Sequence, residues 1–198
     1  HHSESGKPSL TCHTPGVWDK HMGHGGRDKT VNYPIWWFLR QAIPWINKHA
    51  PEGFDVTMEC THHGPYCNKP ISYIEIGSSK KEWQIKEAGE IIANIIMEVL
   101  IGYKEENYRI ALGIGGTHYC SNFNKIELNT DIAFAHICPK YQLERLDKEV
   151  LRQAIEKSKA SFCLLDWKGL GKNKKKVKQL LEELNFPYER TDQLWVSR

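Results

Sequence analysis

Apolar and polar positions along this chain follow two rhythms that take turns. Short stretches with a period near two, or continuously apolar, predict strands at Ser9–His13, Phe54–Cys60, Ile71–Ile76, Tyr108–Ile114, Asp131–Cys138, Ser161–Leu165 and, closing the chain, Phe186–Arg190. Between them lie segments with helical spacing. One runs near Pro34–Lys48, where Pro44 is expected to bend or divide it. The clearest starts at Ser79, which forms a capping box with Glu82 and sets Trp83, Ala88, Ile91, Ile92, Ile95 and Val99 on one apolar face. Two more cover Lys148–Lys157 and a final amphipathic stretch capped by Asn173 and reaching Leu184. Strands alternating with helices predict a three-layer α/β fold, with a mostly parallel or mixed sheet flanked by helices. The length of 198 residues suits one domain over residues 1–198.

The unusual polar clusters follow the predicted strands directly. His13 follows the first, His62-His63 the second and Gly77-Ser78 the third; Gly115–His118 and Asp166-Trp167-Lys168-Gly169 do the same later. Ligands of open α/β sheets bind beyond the carboxyl ends of the strands, so parallel strands would bring these clusters into one crevice. His62, His63, His118 and Glu75 are the catalytic candidates. On a regular strand the adjacent His62 and His63 point opposite ways, so the turn at Gly64-Pro65 should bring one into the crevice and leave the other structural.

Imidazoles with a carboxylate also make a plausible zinc set, here His13, His62, His63, His118 and Glu59, which would activate a water. The spacing matches no self-sufficient metal motif. Cys60-x-His62 with Cys67 is an alternative zinc set, competing with a core position for Cys60. A single isolated histidine is more often hydrogen-bonded structure than ligand, but of the set His13, His62, His63, His118 and His136 at least two are expected to be functional. Backbone N–H groups at Gly77-Ser78 or Gly115-Gly116 could hold an oxyanion, although a tight turn explains glycines equally well. Ser79 is committed to its cap, no G-x-S-x-G elbow is present, and nothing marks Cys120 as an activated thiolate.

Composition narrows the setting. The net charge is only +3, but Lys168–Lys178 carries a basic run without an acid. Lys168, Lys172, Lys174 and Lys175 could hold RNA phosphates and Trp167 could stack on a base; a solvated helix face and core packing are the plain alternatives. No apolar run reaches the roughly 20 residues of a membrane span, and no signal or transit peptide is visible. Six scattered cysteines without a C-x-x-C pair suit reduced thiols in a cytoplasmic protein. The chain begins at His1-His2 rather than methionine, which reads as a tag remnant or as an N-terminally incomplete chain.

Seven stretches in order extend this reading. They are His2-Ser3-Glu4-Ser5-Gly6; Leu10-Thr11-Cys12-His13 with Gly16; Glu59-Cys60-Thr61-His62-His63-Gly64-Pro65; and Glu75-Ile76-Gly77-Ser78-Ser79 with Glu82-Trp83. Gly113-Ile114-Gly115-Gly116-Thr117-His118-Tyr119, Ala135-His136-Ile137-Cys138-Pro139-Lys140-Tyr141 and Asp166-Trp167-Lys168-Gly169 complete the set. Together they resemble the archaeal and plant-type D-aminoacyl-tRNA deacylases across nearly the whole chain. The resemblance implies a phosphorylase/hydrolase-like fold, akin to peptidyl-tRNA hydrolase, and hydrolysis of the ester joining a D-amino acid to tRNA. It also implies a zinc cofactor and an N-terminal segment with strands that precede this chain; a monomer is expected. Val17, Thr117 and Cys120-Ser121 depart from the family pattern, which carries no role over to them. Two rival functions stay open: a metal-dependent peptidase or amidohydrolase of small substrates, and a non-catalytic RNA-binding module.

Overall fold

The structure is a computed structural model that describes residues 7–20, 23–103 and 107–194. The first of the seven stretches, His2–Gly6, lies outside the described residues. Nine strands and six α-helices follow one another among the rest: β1 (Ser9–His13), β2 (Gly16–Val17), β3 (Thr30–Val31), α1 (Trp36–His49), β4 (Asp55–Met58), β5 (Tyr73–Gly77), α2 (Lys80–Trp83) and α3 (Lys86–Ile101) come first. Then come β6 (Arg109–Gly116), α4 (Ser121–Asn129), β7 (Ile132–Pro139), α5 (Lys148–Ser158), β8 (Phe162–Leu165), α6 (Lys174–Glu183) and β9 (Tyr188–Arg190).

Four strands form an all-parallel sheet in the order β7-β6-β8-β9. A second sheet, β4-β1-β5, is mixed, with β4 parallel and β5 antiparallel to β1. β2 and β3 make a separate antiparallel pair. Strand alternation divides the core in two. Phe162 and Leu164 of β8 face one cluster with Leu10, Ile43, Ile95 and Phe123, whereas Cys163 and Leu165 face another with Trp18, Leu151, Val177 and Leu181. Helices α1, α3 and α4 therefore cover one side, α5 and α6 the other, giving the expected three-layer α/β arrangement. Continuous burial of β8 on both faces explains why Phe162–Leu165 is wholly apolar.

Three local expectations are corrected. The helix over residues 36–49 continues through Pro44 undivided; proline removes only the N–H that would have bonded the carbonyl one turn earlier. The Ser79–Glu82 capping box is present, but it closes a single turn, and the helix restarts at Lys86. That break resets the helical phase, so Trp83 leaves the buried stripe of Ala88, Ile91, Ile95 and Val99 and stands 41% exposed. Asn173 does precede α6, yet its side chain makes no capping bond, because the 3-10 turn Gly171–Asn173 leads straight into the helix.

Helix α4 had no clear periodic signal. It carries Glu127, fully buried, whose Oε2 accepts the Phe134 N–H at 3.0 Å beside a register shift in the β6–β7 pairing. Burial pushes this carboxyl up to about 8, against the lowering effects of the Phe134 hydrogen bond and the Arg40 charge. The folded state thus holds a proton that the unfolded chain releases near 4.5, so this contribution to stability is complete below about 4.5 and is lost as pH rises through about 8. Glu127→Gln keeps an acceptor for Phe134 without the titration. Thermal unfolding followed between pH 5 and pH 9 should show a smaller loss of Tm in the variant than in the parent.

Candidate active site

The segment after β4 explains why the site forms where it does. Instead of continuing in one ladder, three successive N–H groups bond three different strand ends: Glu59 to the Cys12 carbonyl (2.9 Å), Cys60 to His118 (2.8 Å) and Thr61 to Ile137 (2.8 Å). The two sheets are joined there at their carboxyl edges. The Thr61 carbonyl accepts the Trp18 indole N–H at 3.0 Å, and the His62 carbonyl accepts the Gly16 N–H at 3.1 Å. This crossing carries Glu59, His62 and His63 to His13 at the end of β1 and to His118 just past β6.

Both His62 and His63 face the resulting cavity, contrary to the alternation expected of a strand. His63 takes a left-handed backbone (φ 42), which folds the pair so that their ring centroids lie 4.4 Å apart. Gly64 follows, packed so closely against the backbone of His24 and Gly26 that any Cβ would collide with it. That contact draws His24 to 5.8 Å from the His63 ring. The cavity has a volume of about 610 Å³ and is walled by His24, His62, His63, His118, Tyr73, Glu75, Ile76 and Trp83, with Glu59 at its base. His13 lies behind this wall, stacked between His62 (4.4 Å) and Tyr73 (5.3 Å).

Electrostatics divide the imidazoles into two kinds. Glu59 Oε2 lies 3.3 Å from His118 Nε2, 3.5 Å from His62 Nε2 and 3.9 Å from His13 Nδ1. The Cys60 thiol beside Nδ1 and the Glu59 carboxylate beside Nε2 push His118 up to about 10, so it is a cation at neutral pH. Burial instead lowers His62 to about 4, depresses His63, and takes His13 well below its ordinary value. These three are neutral.

Their tautomers follow from their partners. His62 Nδ1 donates to the Cys60 carbonyl at 2.7 Å and His63 Nδ1 to the Gly64 carbonyl. Each therefore presents a lone pair on Nε2 to the interior. His63 Nε2 meets His13 Nε2 at 3.3 Å, and Glu75 Oε1 lies 3.9 Å from it. Neutral imidazoles oriented by backbone acceptors are the donors zinc requires, and 3.3 Å is about the separation of two nitrogens held by one tetrahedral zinc at roughly 2.0–2.1 Å each. The donor set fits a metal ion. Three trios bring donor atoms within 4.8 Å of one another: His13, His62 and His63; Cys60, His62 and His118; and His13, Glu59 and Glu75. Cys67 joins none of them; its backbone N–H bonds Asn32 and its thiol accepts from Lys69.

Other residues singled out in the sequence lie elsewhere. Because β5 is antiparallel, Gly77 pairs with Ser9 at the start of β1, so Gly77-Ser78 sits at the opposite edge of the sheet from His13. For the same reason Tyr73 and Glu75, earlier in β5, reach the site. Gly115 and Gly116 are outside the cavity wall. Gly115 (φ +106) lies against Asp166 and Leu170, and a side chain on Gly116 would strike Phe123 at 2.8 Å, so both serve packing. His136 is buried; its Nε2 donates to the Asn32 carbonyl at 3.0 Å and its Nδ1 accepts from Thr61 at 2.9 Å, a structural role.

The basic run begins beyond β8, on the carboxyl edge of the parallel sheet. Lys168 and Lys175 are exposed, Lys172 pairs with Glu144, and Lys174 Nζ lies 5.0 Å above the Trp167 ring, whose other neighbour is Arg190 at 4.2 Å. His24, Tyr73 and Trp83 line the cavity without having been singled out for it. His24 stands in a sequence stretch rich in Gly and His, whereas the other two depend on the direction of β5 and on the helix break.

Known proteins resemble this chain over most of its length. The family model described as D-aminoacyl-tRNA deacylase matches residues 1–189. Relatives named D-aminoacyl-tRNA deacylase include those of Pyrococcus abyssi, 38% identical over 95% of this chain and 70% of the relative, and Pyrococcus furiosus, 40% identical over 95% and 70%. That of Methanococcus vannielii is 37% identical over 96% of this chain and 78% of its own length. A crystal structure described as a conserved protein of unknown function superposes with a TM-score of 0.88 at 28% identity, covering 100% of this chain and 71% of the other. The histidine crevice and its carboxylates thus sit in a chain that belongs to the D-aminoacyl-tRNA deacylase family.

Proposed function

We propose that this chain hydrolyses the ester between a D-amino acid and the 3′ end of tRNA, releasing both. The observation that carries the reading is one open cavity in which His118 and His62 flank the carboxylate of Glu59 and His63 stands beside Glu75. Ester hydrolysis needs two functions together. A neutral imidazole takes the proton from the attacking water, and a fixed positive donor stabilises the oxyanion that forms on the carbonyl.

His62 and His63 supply the base, their Nε2 lone pairs already turned inward by the bonds at Nδ1. His118 supplies the donor, and Glu59 holds its charge in place. Alternatively, those same lone pairs, with His13 and with Glu59 and Glu75 adjacent, would hold zinc, and Glu75 would then take the proton. When bound, that ion would lower the pKa of a water toward about 7. Tyr73, Ile76 and Trp83 would receive the amino-acid side chain, and chirality would be read by the clash of the L-form with this wall. Cys60 is wholly buried and does not act as a nucleophile. No helix among the described residues is long and apolar enough to cross a membrane.

Lys168, Lys172, Lys174 and Lys175 would bind acceptor-stem phosphates. The Lys172–Glu144 pair is exposed and screened by solvent, and is readily exchanged for a phosphate.

Release of labelled amino acid from matched D- and L-aminoacyl-tRNA tests the reading. His62→Ala and His118→Ala should each lower kcat/KM on the D-substrate by on the order of 10²–10⁴. Unchanged turnover in both would refute the assignment. Elemental analysis of the purified protein should find zinc that His13→Ala and His63→Ala lose, and chelation should remove activity with it. Lys174→Ala with Lys175→Ala should flatten the salt dependence of tRNA binding by roughly 0.7 to 0.9 in slope per lost contact. An identical slope would place the RNA elsewhere.

A further inference from the structure

A second cavity, also of about 610 Å³, lies along the outer edge of β4, between that strand and α4. None of the catalytic candidates lines it. Its inner wall is Ser9, Asp55 and Thr57, and its outer wall includes Ser121, Lys125 and Leu128. Asp55, Thr57 and Glu59 occupy alternate positions on one strand and its one-residue extension, and so share a face of the sheet. The second cavity and the base of the histidine cavity are therefore two stations on one surface. At roughly 3.3 Å per residue they lie about 7–13 Å apart, the span of a single nucleotide.

Tyr119 stands between the two. Its carbonyl accepts the Thr57 hydroxyl at 2.5 Å, and its ring sits edge-on to His118 at 5.0 Å between centroids. The chemistry of the second cavity differs from that of the first. It has no histidine. Leu128 offers apolar surface to an aromatic ring, Asp55 an acceptor for sugar hydroxyls, and Lys125, exposed at the rim, a cation for a phosphate. At its floor the hydroxyls of Ser9, only 3% exposed, and Tyr119 have no hydrogen-bond partner among the described residues. Base, sugar and phosphate each find a counterpart in one place, in a cavity the fold has not filled.

We propose that this cavity seats the 3′-terminal nucleotide of the tRNA, with the base against Leu128, the phosphate at Lys125, and the ester directed past Tyr119 toward Glu59. The assignment rests on the deacylase reading and adds the position of the RNA end to it.

Amide chemical shifts of the full chain, titrated with 5′-AMP and separately with inorganic phosphate, test it. AMP should move Thr57, Ser121 and Lys125, and phosphate at the same concentration should not reproduce the pattern. Ser121→Trp fills the cavity from an exposed position, so folding is not at stake. It should weaken AMP by roughly tenfold or more and raise KM for D-aminoacyl-tRNA by a similar factor. Lys125→Glu should act in the same direction. Neither effect should persist on a D-amino acid methyl ester, which has no nucleotide to seat. AMP shifts confined to the Lys168–Lys178 run, or an unchanged KM in both variants, would overturn the proposal. If AMP binds here but no D-aminoacyl-tRNA is turned over, the deacylase reading fails and the nucleotide site stands. If turnover proceeds with no shift here, the site alone fails.

Discussion

The crossing at Glu59–Thr61 is the constraint from which the rest of the site follows. Three consecutive N–H groups satisfy the carbonyls of Cys12, His118 and Ile137, which belong to the ends of three separate strands or their continuations. Each such bond contributes only about 1 kcal/mol net, yet leaving one of these buried groups unpaired would cost more. The backbone is therefore fixed at the one place where the two sheets meet, and the side chains of Glu59, His62 and His63 emerge there in a single arrangement. Trp18 and Gly16 hold the outgoing chain through the carbonyls of Thr61 and His62. A catalytic group placed this way owes its position to backbone bonds rather than to a mobile loop, which favours geometric precision.

Much of this was legible in the sequence, and for a definite reason. His13, His62 and His118 each follow a strand, and those strands run parallel within their sheets, so the rule about carboxyl ends holds for them. It failed at Gly77-Ser78 because β5 runs the other way, and nothing in the period-two pattern of residues 71–76 encodes direction. The same reversal hid Tyr73, which lies at the start of its strand. Trp83 was hidden by a two-residue break that leaves the local apolar spacing intact while rotating everything before it. Gly115 and Gly116 carried an ambiguous signal. Their use in close packing against Leu170 and Phe123 depends on side chains more than 50 residues away for Leu170, and on a helix without a clear periodic signal for Phe123.

The pair His62-His63 shows how a correct identification can rest on an incomplete picture. Alternation assigned opposite faces to adjacent rings, which holds only while the backbone stays extended. The left-handed residue at His63 and the backbone contact at Gly64 remove that premise, and the two rings then share one cavity. The local bonds that fix them are also the ones that fix their tautomers, since Cys60 and Gly64 offer only carbonyl acceptors to Nδ1. Position and protonation are set by the same turn.

One carboxylate then produces opposite behaviour in neighbouring imidazoles. Glu59 is almost fully buried and cannot keep its charge there without a nearby cation. His118 meets that need, and its contacts with Cys60 and Glu59 push its pKa up. With the carboxylate thus compensated, burial dominates at His62 and His13, and both stay neutral although they too lie within 4 Å of Glu59. A second imidazolium would repel the first and lose its hydration for little gain. The division between one charged donor and several lone-pair donors is therefore a consequence of burying a single acid among many histidines. An ester-hydrolysing site requires that division, and here the fold generates it from the crossing of one strand end over three others.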